Sequence, residues 1–215
     1  MTSPYRRRRL MLAVGAVAPI VAFVCVVAAT LTWPGYDQSR QYLSELGGPH
    51  AREPWLFNSM VVFAGLSAAV SGVGFALALL ALGGSRVAAA VTALAFVLAG
   101  IGMVVAGLIP WPDPRHRWVN LGLGIQLAPL CLIWGLWRVR GSERLRWFLA
   151  AVFTAMAILT VLTKHLVFKG LVNDFNVGWW ERAFALVLIG WTGVAAWALE
   201  RRLLEMSRAA QPMAD

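Results

Sequence analysis

The sequence predicts an all-α protein, a polytopic integral membrane bundle of six transmembrane helices with both termini cytoplasmic. Three observations carry this expectation. The 215 residues are 60% hydrophobic and only 13% charged, whereas a soluble domain carries roughly 25% charged residues. Six apolar stretches are each long enough to cross a bilayer, which takes about 20 residues per helix. The basic residues gather between those stretches, where they act as topology signals. One compact bundle accounts for the length, so residues 1–215 are read as a single domain.

The first stretch, Leu10–Trp33, follows a basic tail over 1–9 that contains Arg6, Arg7, Arg8 and Arg9. It exceeds the 7–15-residue core of a signal peptide and reads as an uncleaved helix kinked at Pro19. The second and third, Trp55–Leu82 and Val87–Ile109, are joined by Gly83-Gly84-Ser85-Arg86, which is short enough to force an antiparallel hairpin. The fourth runs from about Trp118 to Trp137, the fifth from Trp147 to Phe168, and the sixth from Trp179 to Leu199, with a tail over 200–215. Many of the 11 tryptophans fall near span ends, as an interfacial belt requires. With the N-terminus inside, 12 basic residues lie on the cytoplasmic side and 7 outside, in agreement with the positive-inside pattern.

The net charge is +9. No soluble basic domain exists to carry nucleic acid, so none is expected as a partner. Membrane lipids are the expected partner, through anionic headgroups. Nothing in the sequence sets an oligomeric state. Cys25 and Cys131 sit inside apolar stretches and read as small buried hydrophobes. Ser67 and Ser71, Ala68 and Gly72, and Gly102 and Ala106 are each four apart, the spacing of close helix packing. The halves of the chain do not match as an inverted repeat, which leaves a transporter reading with only Gln126 and Thr160 as mid-membrane polar residues.

The predicted topology collects the unusual polar residues on the outer face. The loop over 34–54 is predicted to hold a short amphipathic helix, with Asp37 as N-cap and Gly47-Gly48-Pro49 as stop. Ser44 and Glu45 lie on its polar edge. Asn58 comes one turn into the second span, either as a pocket wall or as interhelical glue. In Pro110–Arg117, Asp113 can cap a helix begun by Pro114, and His116 and Asn120 share its face. Asp113 and His116 are the nearest approach to a metal pair, but no metal motif accompanies them. Lys164 snorkels at the end of the fifth span. Glu181 opens the sixth, favoured there by the helix dipole or facing the bundle as an intramembrane acid paired with His116, Lys164 or Arg182.

The pattern Tyr36…Ser44-Glu45-Leu46-Gly47, Trp55-x-Phe57-Asn58, Gly107-Leu108-Ile109-Pro110…Asp113…His116 and Glu181-Arg182 resembles a prokaryotic six-helix membrane family catalogued as domain of unknown function 998. That family is similar to the Frag/DRAM/Sfk membrane proteins, some of which are tied to lipid remodelling or asymmetry. The resemblance spans nearly the whole chain. It implies the six-helix fold and a multi-pass protein of a prokaryotic plasma membrane, with no assigned activity.

Three functions follow as expectations. The first is lipid interaction through an extracytoplasmic-side pocket of Ser44, Glu45, Asn58, Asp113, His116 and Glu181, with Arg52, Arg115 or Lys164 on a phosphate. The second is an intramembrane hydrolase or transferase of lipids, with Glu45 or Glu181 as base and His116 and Asp113 as acid or metal ligands. The third is a small-solute transporter. No cofactor is expected.

Overall fold

The structure, a computed structural model, describes residues 3–118, 123–163, 168 and 170–209. Six α-helices follow one another: α1 Ser3–Leu31, α2 Pro54–Ala81, α3 Arg86–Leu108, α4 Leu123–Leu136, α5 Glu143–Thr163 and α6 Val177–Ala209. Two 3₁₀ segments, Leu43–Gly47 and Pro114–Trp118, lie in the loops. Five of the helices, α1, α2, α3, α5 and α6, are long and apolar enough to cross a membrane. Helix α4 is equally apolar and is described over 14 residues. The fourth span was expected from about Trp118; that residue ends a 3₁₀ segment, and α4 is described from Leu123. Helix α1 continues through Pro19, and α4 through Pro129.

Local chemistry sets several helix ends. Pro54 occupies the first turn of α2, where its missing N–H costs nothing. Ser85 caps α3 by accepting from the Ala88 N–H at 3.3 Å. The Gly83 turn, at φ 75°, reverses the chain between α2 and α3. Between α4 and α5 the buried Ser142 hydroxyl lies 3.0 Å from the Leu136 carbonyl and 2.7 Å from that of Val139. The Leu136 carbonyl also accepts from the Val139 N–H at 3.0 Å, so the hydroxyl adds a second closure at the end of α4.

Each helix packs on its neighbour in the chain, and α6 returns to α1, so the six form a closed ring with α2 also touching α6. The core of the ring is aromatic. Phe75 of α2 stacks on Phe96 of α3 with centroids 5.2 Å apart, and Trp191 of α6 lies 6.2 and 5.9 Å from them. Leu79, Leu132, Met156 and Leu199 complete the core from four helices. The α2–α3 seam is close-packed. A Cβ on Gly65 would fall 2.5 Å from the Gly100 carbonyl oxygen, and one on Gly100 would fall 2.4 Å from that of Gly65. These two glycines let the backbones touch, the expected role of small residues between membrane helices.

The N-terminal part of α1 and the C-terminal part of α6 meet at one end of the ring, where the Arg9 guanidinium pairs with Glu200. Near that end α1 and α6 are in close contact. Gly15 sits against Ala196, and Gly193 against Ala16 and Pro19. Farther along, from Ala22 to Leu31 and from Ile189 back to Glu181, the two helices part and a cavity opens between them. The opposite end of the ring carries the loops 32–53 and 109–118 and is called the loop face below.

Candidate functional site

The loop between α1 and α2 is shaped by the first turns of α6. Asp37 starts a turn: its carbonyl accepts from Arg40 and Gln41, and its carboxylate accepts from the Ser39 N–H at 2.9 Å and hydroxyl at 2.6 Å. Those Ser39 bonds hold the Asp37 carboxyl below the usual carboxylate range. A continuous α-helix from Asp37 to Gly48 would send the Leu43 N–H to the Ser39 carbonyl. Here the Ser39 carbonyl accepts from the Gly178 N–H at 2.8 Å, and the Leu43 N–H donates to the Glu181 carboxylate. Helix α6 thus takes both partners, and the expected helix is replaced by a turn and the five-residue 3₁₀ segment Leu43–Gly47. Glu45 steadies that segment, accepting from the Tyr42 N–H at 2.8 Å and the Gln41 side-chain amide at 3.1 Å.

Arg182 is the second anchor. Its Nη1 donates to the carbonyls of Gly178 at 2.8 Å and Gln41 at 3.1 Å, and its Nη2 donates to the Tyr36 hydroxyl at 2.6 Å. Tyr36 in turn donates to the Tyr42 carbonyl at 2.9 Å. Burial pushes the Tyr36 phenol above its ordinary pKa against the pull of Arg182, so it keeps the proton that it donates. The contact is close enough to exclude any side chain at position 178, where a Cβ would lie 2.3 Å from the Gln38 carbonyl oxygen.

Asn58 ties the 3₁₀ segment to α2. Its Nδ2 donates to the Gly47 carbonyl at 2.9 Å. A Cβ on Gly47 would collide with the Asn58 Oδ1 at 2.1 Å, and one on Gly107 of α3 would lie 2.8 Å from the Asn58 carbonyl oxygen. The conspicuous motifs around Gly47, Asn58 and Gly107 are therefore three sides of one joint. Ser44 is half-buried within the segment, and Arg52 is exposed beyond it.

The loop after α3 is closed by its own pairings. The Asp113 carboxylate takes the Arg115 N–H at 2.8 Å and a two-pronged guanidinium contact at 3.1 and 2.8 Å. These hydrogen bonds hold its pKa down at about 2. His116 has its Nδ1 2.8 Å from the Ile109 carbonyl, which places the proton on Nδ1 as the donor. Among the described residues no three His, Cys, Asp or Glu side chains come together as a metal site. Asn120, Lys164 and His165 lie outside the described residues. Gln126 and Thr160 pair with each other across α4 and α5 at 2.8 Å. Cys25 and Cys131 are free and half-buried.

Beneath the loop lies the cavity, of about 530 Å³, walled by α1, α2 and α6 with Met103 of α3 and Ile125 of α4 at its base. Its walls are apolar: Ala22, Phe23, Val26, Phe57, Met60, Phe184, Ala185 and Ile189 among them. Its polar residues, Thr30, Gln38, Glu181 and Arg182, belong to the loop-face half. Leu43 covers it from the 3₁₀ segment. Of the candidate residues drawn from the sequence, Glu181 is the one among the described residues that lines this cavity. Ser44, Glu45, Asn58, Arg52, Asp113, Arg115 and His116 lie elsewhere on the loop face. The cavity itself had no motif, because alanines at 22, 64 and 185 look like any others in an apolar helix.

Transmembrane helices closed into an all-helical ring, with a polar-capped cavity at one end, define a class of membrane protein. Within that class, the chain belongs to the family described as Protein of unknown function (DUF998), whose model matches residues 16–198. The matched range takes in the loop, its anchors on α6 and the cavity. No curated protein and no solved structure matches the chain.

Proposed function

We propose that the protein binds a membrane lipid in the cavity between α1, α2 and α6. In this reading it is a multi-pass protein of a prokaryotic plasma membrane, with both termini cytoplasmic and the loop face outside. The observation that carries the reading is the polarity of the cavity. Its polar residues sit at the loop face, and its shaft into the bundle is hydrocarbon, which is the polarity of a lipid lying in one leaflet. Glu181 and Ile189, eight residues apart on α6, give the shaft a length of about 12 Å. Half of the bilayer's hydrocarbon core is about 15 Å thick. The volume falls within the roughly 300–1,000 Å³ of small-ligand sites. The excess of basic residues on the terminal side supports the orientation.

The test is native mass spectrometry of the protein released from a gentle detergent, wild type beside Ala185→Trp and Glu45→Gln. The wild type and Glu45→Gln are expected to retain a lipid, because Glu45 holds the loop and does not line the cavity. Ala185→Trp, which fills the shaft, is expected to lose it. A wild type that emerges bare, or an Ala185→Trp that retains lipid as well as wild type does, overturns the reading.

A further inference from the structure

Resting on that reading, we infer that the occupant is an uncharged amphiphile, a single hydrocarbon chain with a hydroxyl headgroup, taken sideways from one leaflet between α1 and α6. The charge at the cap comes first. Among the described residues, Glu181 and Arg182 are the ionisable groups lining the cavity, and they are opposite in formal sign. A charged headgroup would add a charge to a lining that is apolar apart from these two residues, Thr30 and Gln38, and a buried charge without a partner is costly.

The donors come second. Phosphate recognition by arginine uses a free guanidinium fork. Nη1 of Arg182 already donates to the Gln41 and Gly178 carbonyls and Nη2 to Tyr36, so a phosphate that took both Nη prongs would compete with these bonds. Binding a phosphate there would pull Arg182 off the loop that it holds. The remaining groups accept or exchange hydrogen bonds. Glu181 gives Oε2 to the Leu43 N–H, which leaves Oε1 to accept. Gln38 adds an amide and Thr30 a hydroxyl at the same rim. A hydroxyl can donate to the carboxylate and accept from the amide at once.

The route comes third. The loop over the cavity is fastened to α6 at Ser39, Gln41 and Leu43, so the top is shut. The side wall is formed by Val27, Leu31 and Leu186, which also face outward with 57%, 78% and 57% exposure. An apolar wall that is low and outward-facing opens to acyl chains rather than to water. The helices meet again at Gly193 and Pro19, which closes the slot at the depth of one leaflet. A volume in the lower half of the ligand-site range suits one chain rather than two.

A monoacylglycerol and a long-chain alcohol share this chemistry. The experiment uses photoreactive, alkyne-tagged probes added to the purified full chain in lipid vesicles: a monoacylglycerol, a long-chain alcohol, a fatty acid, a lysophospholipid and a two-chain phospholipid. Labelled peptides are then mapped. The hydroxyl-headed probes are expected to label residues 22–31 and 181–189 about tenfold more than the charged ones, the ratio that an unpaired buried charge implies. The stronger of the two identifies the head. Glu181→Gln still accepts from the Leu43 N–H and is expected to fold with the preference reduced, and Ala185→Trp is expected to abolish labelling. Equal or stronger labelling of the same peptides by the charged or two-chain probes overturns the headgroup inference and leaves the lipid site standing. An unchanged preference in Glu181→Gln overturns the role of Glu181. Labelling of neither segment by any probe removes both the inference and the proposed function.

Discussion

Among the described residues no carboxylate pairs with the Arg182 guanidinium; backbone carbonyls and a phenol accept from it. A side chain used in this way holds the conformation of the loop. Arg182→Ala is expected to cost about 2–3 kcal/mol, because hydrogen bonds from a charged group are the strong ones. Tyr36→Phe, which removes one hydroxyl from the same chain of bonds, is expected to cost about 1 kcal/mol. Unfolding in detergent, followed by tryptophan fluorescence, measures both. Asp113 makes a different prediction. Its carboxyl is held at about 2 by hydrogen bonds from Arg115, below the ordinary value near 4. A depressed carboxyl stabilises the folded form above its unfolded pKa, and that stabilisation is lost as pH falls through the folded one. The thermal midpoint of Asp113→Asn should therefore sit below wild type at pH 5–7, and the gap should close as pH drops from about 4 toward 2. A gap independent of pH would contradict the pairing.

At the scale of elements, the α2–α3 hairpin is set by two glycines that face each other across the seam. Gly65→Val is expected to destabilise the bundle by about 1–3 kcal/mol through overpacking, whereas Gly190→Ala, at a position with open space around it, is expected to be neutral. Comparative melting of the two variants decides this. The hairpin was legible in the sequence, since a four-residue connector between two long apolar runs leaves little choice. So were the helices themselves, because 18 or more apolar residues have few alternatives in a bilayer. The glycines were less legible. The four-residue spacing pointed to Ser67, Gly72 and Gly102, and Gly72 does lie at a close approach, where an added Cβ would fall 2.3 Å from that of Phe96. The backbone contact of Gly65 with Gly100 was not among the pairs so singled out, because the crossing of two helices depends on their rotation and not on one helix's pattern. The loop helix was misread for a related reason. Residues 37–48 carry good helical signals, but the donors and acceptors of one helical turn are taken by Gly178 and Glu181, which lie about 140 positions away in the chain. Glu181 and Arg182 stood out as polar residues at a helix start. That they share a cavity with Thr30 and Gln38 depends on how far α1 and α6 part, which no local pattern records.

At the scale of the whole molecule, the ring is tight at the end with the termini and open at the loop face. The same α6 that walls the cavity also fastens the loop above it, so cover and site are one structure. That fastening has a consequence for proteolysis. Arg40 and Arg52 are both exposed, and by exposure alone trypsin should cut at either. Cleavage requires a segment to leave its place and enter the protease cleft, so it follows local opening rather than surface area. Arg40 sits between Asp37 and Gln41, inside the stretch bound to α6, with its guanidinium 4.7 Å above the ring of Phe175. Arg52 lies beyond Gly47, outside that stretch. Limited trypsin treatment is expected to cut after Arg52 first and to reach Arg40 only in Arg182→Ala. Because the two sites share one loop, the same digest reports which side of the membrane the loop occupies. Cleavage after Arg52 in intact cells sets the loop face outside, and cleavage confined to inside-out vesicles reverses the orientation of the entire chain.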